Sequence, residues 1–158
     1  YGDLYARSPY REIPPDRISA YSMSKYWRYY TVTHYENDGR SRRYYTLYPQ
    51  FREVLGDVKD VLLGGVSPIV TIDVGNAAES TRQLLIFGDR SMQSYLPFLL
   101  VHYPKVTFVD TASISPSLLE QVDVSRYNQI LFAYMADSFI DSDQLSILSW
   151  LPQRQEPA

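Results

Sequence analysis

The stretch LLIFGDRSMQSYLPFLLVHYPKVTFVD, residues 84–110, contains the pattern that decides the fold. Its runs 84–87 and 106–109 are short and almost wholly apolar, which is typical of strands buried on both faces of a parallel sheet. The segment 91–101 between them has room for a crossover helix. The stretch therefore predicts a strand-helix-strand unit.

The pattern of short apolar runs separated by helix-length segments continues on both sides of this unit. A further apolar run at 130–134 follows a helix predicted at 116–122, and a strand is predicted upstream at 68–73. A last helix is predicted at 142–150, with Ser142 or Asp143 as its N-cap. Alternating strands and helices predict an α/β fold, here a mainly parallel, flavodoxin-like sheet with helices on both faces.

The N-terminal part differs in composition, because residues 1–62 hold eleven of the fifteen tyrosines. Asn37-Asp38-Gly39 supplies residue types that tolerate positive φ, so strands at 28–34 and 43–47 are predicted to form a β-hairpin. Its aromatic residues, Trp27, Tyr29 and Tyr30 among them, have two interpretations. They form a platform that stacks on sugar rings, or they pack across the strands as aromatic residues commonly do.

Length and composition limit the class of protein. The 158 residues predict a single domain, 1–158, with a β-rich part at 1–62 and an α/β part at 63–152. A net charge of −3 without a dense basic face argues against nucleic-acid binding. No apolar run is long enough to span a membrane. The start at Tyr1 leads us to expect a mature or excised segment whose targeting signal is not visible.

In an open α/β sheet, ligands bind where strands end at their carboxyl termini. Polar residues follow three of the predicted strands, so the default site is this edge, although loops are polar for other reasons as well. Its predicted residues are Gly88, Asp89, Arg90, Ser91, Asp110 and Asp137.

The segment Gly88-Asp89-Arg90-Ser91 has the residue types of a nucleophile turn. Glycine permits a tight turn, amides at a helix start can hold an oxyanion, and a hydroxyl can attack an acyl carbon. Such a serine needs a base within about 3 Å, and the chain has only His34 and His102. A helix at 91–101 would carry His102 away from Ser91, while His34 would have to approach through tertiary folding. With two histidines and no cysteine, we expect neither a metal site nor a cofactor.

Four blocks occur in an order that resembles a known family. They read YGDLYARSPY with PDRISAY, then LLGGVSPIVTID, then the stretch 84–110, then YNQILFAYMADSF. This order is similar to that of the DHHW-type proteins of Gram-positive bacteria, which are similar to the SGNH hydrolase-like domains of alginate O-acetyltransferases. The resemblance implies an SGNH-like sheet and serine-dependent transfer or hydrolysis of acyl esters on cell-envelope polysaccharide.

The resemblance also identifies departures. Aligned through Pro97-Phe98-Leu99, the family's nucleophile position falls on Arg90, one residue before Ser91. Val66 follows Gly65 where the family has an asparagine, and the Asp-His-His-Trp motif is absent from the chain. Arg90 could hold a carboxylate or phosphate, or form an ion pair with Asp89 or Asp110.

These observations lead to a ranked set of expectations. The first is an incomplete or catalytically degenerate SGNH hydrolase-like module that binds glycan, placed outside the cytoplasm or at the cell surface by resemblance. The alternatives are an active serine acyl esterase or O-acetyltransferase using Ser91 with Asp89, and a structural or assembly module with a protein partner. Gly65, Gly88, Arg90, Asp110 and Asp137 are the expected substrate contacts.

Overall fold

The computed structural model of the chain describes residues 12, 14, 29–49, 62–75, 81–141 and 143–151. Six strands in these ranges form one sheet in the order β2-β1-β3-β5-β4-β6. The strands are β1 (Tyr30–Tyr35), β2 (Ser41–Tyr44), β3 (Ile69–Val74), β4 (Gln83–Gly88), β5 (Lys105–Asp110) and β6 (Gln129–Ala133).

The sheet is mixed, not mainly parallel. β5 and β6 lie on the two sides of β4 and run parallel to it, which confirms the α/β class and the predicted parallel unit. β3 is antiparallel to β5, β1 to β3, and β2 to β1, so the prediction of a mainly parallel sheet is wrong on that side. The error has a physical cause: a buried apolar run such as β3 reveals burial on both faces but not strand direction.

β1 and β2 form an antiparallel hairpin across Asn37-Asp38-Gly39, and Gly39 has a φ of +83°. The prediction of an aromatic hairpin is wrong in the described strands. The second strand is Ser41–Tyr44, not 43–47, and its first three residues are polar and exposed. Tyr29 is exposed and Tyr30 packs against the core, while Trp27 lies outside the described residues.

The helices are shorter than predicted. The single helix expected at 91–101 is a 3-10 helix, Arg90–Tyr95, followed by an α-helix, Leu96–Leu99. Pro97 lies in the first turn of that α-helix, a position that proline favours because the missing N–H is not needed there. The other helical segments are the α-helices Pro116–Leu119 and Ala136–Asp141 and the 3-10 helices Val124–Arg126 and Asp143–Trp150. None in the described ranges is long and apolar enough to cross a membrane.

Helical segments cover both faces of the sheet, as predicted. On one face, Leu96 and Leu100 pack with strand residues such as Ile86 and Phe108. On the other face, Leu118 and Leu119 pack with another set of strand residues. That second set includes Leu85, Phe87 and Val109. The alternation of side chains along the strands therefore divides the apolar residues between two cores.

β6 is an edge of the described sheet and pairs with β4 alone. Its apolar side chains are largely open to solvent, with Ile130 44%, Leu131 37% and Phe132 56% exposed. An apolar strand with a free edge is a site where further polypeptide can pair.

Two glycines with the same φ allow the packing at the turn before β3 to be tested. Gly39 and Gly64 both have a φ of +83°, but a Cβ at Gly64 would overlap the Tyr44 ring, whereas one at Gly39 would meet nothing within 4 Å. Gly39→Ala is expected to lower the free energy of unfolding by about 1–2 kcal/mol, the cost of left-handed backbone. Gly64→Ala is expected to lower it by about 1–3 kcal/mol more, because of the overlap. Urea unfolding measures both, and equal losses would contradict the packing described for Tyr44.

Candidate functional site

The carboxyl end of β4 is the place where the chain changes direction across the sheet. The connection after β4 leads to β5 on one side, and the connection after β5 leads to β6 on the other side. Open α/β sheets bind ligands at such a switch point. In the paired register, Gly88 of β4 lies beside Asp110 of β5 and Ala133 of β6.

Gly88 allows the strands to approach closely at this point. A Cβ at Gly88 would overlap the Ala133 carbonyl oxygen and lie 3.3 Å from the Phe108 ring. The Gly88 carbonyl oxygen accepts the Thr111 amide at 3.1 Å, which ties the end of β4 to the loop after β5. Gly88 therefore contributes to the geometry of the edge, and no side chain is available from it for a ligand.

The Asp89 carboxylate joins the ends of β4 and β6. It is 7% exposed, and its Oδ1 accepts the Ser91 amide at 2.9 Å while its Oδ2 accepts the Met135 amide at 2.6 Å. Burial raises the pKa of Asp89, but hydrogen bonds from Met135, Ser138 and Ser91 outweigh it and leave the pKa below its ordinary value. The carboxylate is thus ionised and acts as the N-cap of the 3-10 helix.

Asp110 is buried at the same edge, but its pKa is shifted in the opposite direction. Its Oδ1 accepts the Ala112 amide at 3.0 Å, and its own amide donates to the Pro68 carbonyl oxygen at 2.9 Å. Burial raises the pKa of Asp110 above its ordinary value, the Asp89 charge adds to this, and the hydrogen bonds and the Arg90 charge only partly offset it. The edge therefore holds two buried carboxyls with opposite pKa shifts.

A hydroxyl pair lies beside these carboxyls: Thr111 belongs to the polar cluster expected after β5, but its pairing with Tyr134 was not predicted. Thr111 donates its hydroxyl to the Tyr134 hydroxyl oxygen at 3.1 Å. Burial raises the pKa of Tyr134, and the Asp89 and Asp110 charges raise it further, against the lowering effect of the Thr111 bond. Thr111 follows β5 and Tyr134 follows β6, so the strand-end rule that identified Asp110 applies to both.

Ser91 and Arg90 are exposed at the mouth of the edge. The Ser91 amide is held by Asp89, and the Ser91 carbonyl oxygen accepts the Ser94 hydroxyl at 2.9 Å. Arg90 forms no ion pair with Asp89 or Asp110, since neither is among its partners within 4 Å in the described part of the chain. The ion pair considered from the sequence is absent, and the Arg90 charge acts on Asp110 only over a longer distance.

Neither histidine is placed as a base for Ser91. His34 is fully buried, with Nε2 2.6 Å from the Leu63 carbonyl oxygen and Nδ1 2.8 Å from the Ser67 hydroxyl oxygen. A carbonyl oxygen can only accept, so Nε2 carries the proton in the neutral ring. Nδ1 then shares the single Ser67 hydroxyl proton with Glu36 Oε1, which also accepts from Ser67. His102 is exposed beyond the helix Leu96–Leu99, and its amide donates to the Leu99 carbonyl oxygen.

His34 belongs to a structural network that the sequence did not reveal. The Ser67 hydroxyl oxygen also lies 2.7 Å from Glu36 Oε1 and 3.1 Å from Arg42 Nη2, and Arg42 donates to Glu36 at 2.9 Å. The network connects the hairpin to the turn that precedes β3. Burial lowers the pKa of His34 below its ordinary value, more than the Leu63 hydrogen bond raises it.

Two other predicted contacts, Gly65 and Asp137, share no hydrogen bond with the buried carboxyls among the described residues. Gly65 has a φ of +99° and donates its amide within its own turn to the Leu62 carbonyl oxygen at 3.1 Å, although that turn lies at the same edge, since Ile69 pairs with Val109. Asp137 is exposed and lies in the first turn of the helix Ala136–Asp141. Its neighbour Ser138 is the residue that hydrogen-bonds Asp89.

The described residues include no group of three or more histidine, cysteine, aspartate or glutamate side chains placed to hold a metal ion. Asp89 and Asp110 are the acids of the edge, and both accept backbone amides. The chemistry open to this edge is therefore that of an exposed hydroxyl, an exposed guanidinium and two buried carboxyls.

Comparison with known proteins finds the fold but not a sequence family. No protein-family profile and no curated protein sequence matches the chain. Its structure is similar to that of a DHHW family protein from Eubacterium siraeum, with a TM-score of 0.59 and 19% identity over 80% of this chain and 42% of that one. It is also similar to Bacillus cereus PatB1 with a sulfonyl adduct, with a TM-score of 0.53 and 18% identity over 74% and 40%.

The structural similarity confirms the resemblance identified from the sequence at the level of the fold. The chain spans less than half the length of either solved protein. This fold is therefore shared with part of a larger protein in both cases.

The two carboxyls of the edge provide a matched pair of substitutions. Asp89→Asn is expected to lower the free energy of unfolding by about 1–3 kcal/mol at neutral pH, because an amide has only one oxygen for two backbone donors. Asp110→Asn is expected to be neutral or stabilising at neutral pH, since it removes a buried charge whose ionisation is disfavoured. Urea unfolding of the two variants at neutral pH checks that Asp89→Asn is destabilising and Asp110→Asn is not. A larger loss for Asp110→Asn than for Asp89→Asn would contradict these roles.

His34 predicts an acid-sensitive fold. The pKa of His34 is lower in the folded state than the ordinary 6.5 or so of an unfolded chain, so the unfolded state binds the proton first as pH falls. Stability is therefore expected to fall below about pH 6.5 by up to about 1.4 kcal/mol per pH unit, until the folded-state pKa is reached. Urea unfolding between neutral and mildly acidic pH measures this slope. His102→Gln should keep the slope and His34→Gln should lose it; the same slope in both variants would contradict the assignment.

Proposed function

We propose that this chain is an SGNH hydrolase-like module of a cell-envelope protein, descended from enzymes that transfer or hydrolyse acyl esters of polysaccharide, which binds glycan and lacks catalytic activity of its own. The observation that carries the proposal is that Ser91, exposed at the switch point, has no histidine hydrogen-bonded to it as a base. Both histidines of the chain have other positions and partners.

An unassisted serine hydroxyl is a weak nucleophile and needs an adjacent base that removes its proton. Both nitrogens of His34 are engaged inside the fold, by the Leu63 carbonyl oxygen and the Ser67 hydroxyl. Both oxygens of Asp89 accept backbone amides, and the carboxylate also accepts side-chain hydrogen bonds from Ser91 and Ser138. These bonds hold the pKa of Asp89 below its ordinary value, which makes it a poor proton acceptor for Ser91. Ser91 therefore has a fixed backbone but no activated hydroxyl.

The residues at the family's other functional positions support the same proposal. Arg90 stands where the resemblance places the nucleophile, and a guanidinium stays protonated and cannot attack an acyl carbon. Val66, which is 37% exposed, stands where the resemblance places an asparagine. Loss of members of a catalytic set lowers the rate by several orders of magnitude.

The glycan-binding role and the extracytoplasmic location are the parts of the proposal that come from the resemblance. They agree with a fold shared with a DHHW family protein and with a surface that keeps tyrosines in contact with solvent, such as Tyr29 and Tyr45. Flat aromatic rings with an apolar face and a polar tip suit contact with sugar rings.

An active acyl esterase or O-acetyltransferase is the second candidate, and one observation favours it. Ser91 lies at the carboxyl end of β4, with its amide fixed by Asp89, where an α/β sheet places its ligand. The chain covers 42% of the Eubacterium siraeum protein, so a base for Ser91 could come from further polypeptide.

A serine-directed fluorophosphonate probe followed by intact-mass measurement distinguishes the two candidates. The chain is expected to gain no adduct under conditions that label a known serine hydrolase in the same tube, because Ser91 is not activated. Ser94→Ala, which changes a neighbouring exposed serine, is the control for Ser91→Ala. A stoichiometric adduct that is lost in Ser91→Ala and kept in Ser94→Ala would overturn the proposal and establish the enzyme.

A further inference from the structure

A groove of about 310 Å³ lies on the sheet face that carries Thr71 of β3 and Thr107 of β5. We call it the sheet-face groove. It is lined by strand residues on one side and on the other by residues from the segment 118–127. Its volume is at the lower end of the range of about 300 to 1,000 Å³ typical of small-ligand sites. It does not contain Asp89, Arg90, Ser91 or Asp110, so it is separate from the switch-point edge.

Three hydroxyls form a connected row in the groove. Tyr127 donates to Thr107 Oγ1 at 2.9 Å, and the Oγ1 atoms of Thr71 and Thr107 are 3.2 Å apart. The row has three hydroxyl protons and two internal hydrogen bonds, so one threonine proton remains whichever way the threonine pair is oriented. The Tyr127 oxygen keeps its capacity to accept. The row can therefore donate one hydrogen bond to a ligand and accept another.

The charges of the groove cancel in pairs. Lys105 Nζ lies 3.4 Å from Asp73 Oδ1, and Arg126 Nε lies 3.0 Å from Asp123 Oδ2. All four residues line the groove. Each cation lies beside a carboxylate, so the groove has no net charge that would select an anionic or a cationic ligand. The four charged groups still offer hydrogen-bond donors and acceptors. The groove thus favours a ligand that is neutral and polar.

Apolar surface completes the groove. Ile69, Leu118 and Val122 line it and are buried, and the Tyr35 ring beside them is 40% exposed. A ligand that fits must therefore present an apolar face together with groups that both donate and accept hydrogen bonds. A pyranose ring has both, in its C–H face and its hydroxyls.

We propose that the sheet-face groove is a binding site for a neutral saccharide unit. Thr71, Thr107 and Tyr127 contact its hydroxyl groups, the Lys105–Asp73 and Arg126–Asp123 pairs lie around them, and Tyr35 lies against the ring. This site rests on the glycan-binding part of the proposed function and is independent of whether Ser91 reacts. It also differs from the aromatic platform at Trp27, Tyr29 and Tyr30, which was one of two interpretations of those residues.

Amide-detected NMR titration with single neutral sugars tests the site. The probes are glucose, galactose, mannose and N-acetylglucosamine, with glucuronate as the anionic comparison. At least one neutral sugar is expected to cause saturable shifts that centre on Thr71, Thr107 and Tyr127, with weaker shifts from glucuronate. No saturable shift from any neutral sugar would overturn the proposal, and so would a preference for glucuronate.

Matched variants identify the groove as the place of binding. Thr107→Val removes a groove hydroxyl without changing shape much, and it is expected to weaken binding about tenfold, as does Tyr127→Phe. Thr33→Val is the control, because Thr33 is a buried threonine directly opposite Thr71 in β1 but does not line the groove. Shifts centred instead on Tyr29, or on Arg90 and Ser91, would overturn the groove while leaving glycan binding intact. A fluorophosphonate adduct would instead overturn the catalytic part of the proposed function and leave the groove unaffected.

Discussion

The two hydrogen bonds of the Asp89 carboxylate are the interactions on which the rest of the candidate site depends. One carboxylate oxygen fixes the start of the 3-10 helix after β4, and the other fixes the backbone just after β6. The bonds are possible because Gly88 lets β4 and β6 approach without a Cβ between them. Burying a charge is costly unless its acceptors are satisfied, and here backbone amides satisfy both oxygens. The same bonds that position Ser91 hold the pKa of Asp89 below its ordinary value, which disfavours Asp89 as a base.

Much of the parallel part of the fold could be predicted from the sequence, because buried parallel strands have a simple signature. The runs around Leu85, Phe108 and Leu131 became β4, β5 and β6, and their polar ends met at one edge. The hairpin turn could be predicted for a similar reason, since Gly39 is a residue type that its positive φ requires. In both cases the prediction depends only on residues that are close together in the sequence.

What could not be predicted is mostly long-range pairing. β3 lies between β1 and β5 and is antiparallel to both. Its apolar sequence does not indicate whether it runs parallel or antiparallel to its neighbours. The burial of His34 depends on partners about thirty residues away, Leu63 and Ser67, so the sequence could name it only as a possible base. The hydroxyl row of Thr71 and Thr107 likewise exists only because β3 and β5 are neighbours.

The two polar regions of the sheet differ in how their groups are used. At the switch-point edge, the buried carboxyls accept backbone amides of their own loops, so the polar groups maintain the fold. On the sheet face, Thr71 and Thr107 occupy buried strand positions, and their hydroxyls bond to one another and to Tyr127. The first arrangement is explained by stability. The second retains hydrogen-bonding capacity, which is the reason we propose a ligand there.

We propose that Asp89 serves as a structural clamp between β4 and β6 and not as a catalytic acid or base. Carboxyl ¹³C NMR titration of Asp89 and Asp110 in the intact chain tests it most directly. We expect the pKa of Asp89 to lie below its ordinary value and that of Asp110 above, because backbone amides hold the first carboxylate ionised while burial disfavours ionisation of the second. A raised pKa at Asp89 would rule out the clamp role, since it would leave that carboxyl free to exchange a proton with Ser91 or a ligand.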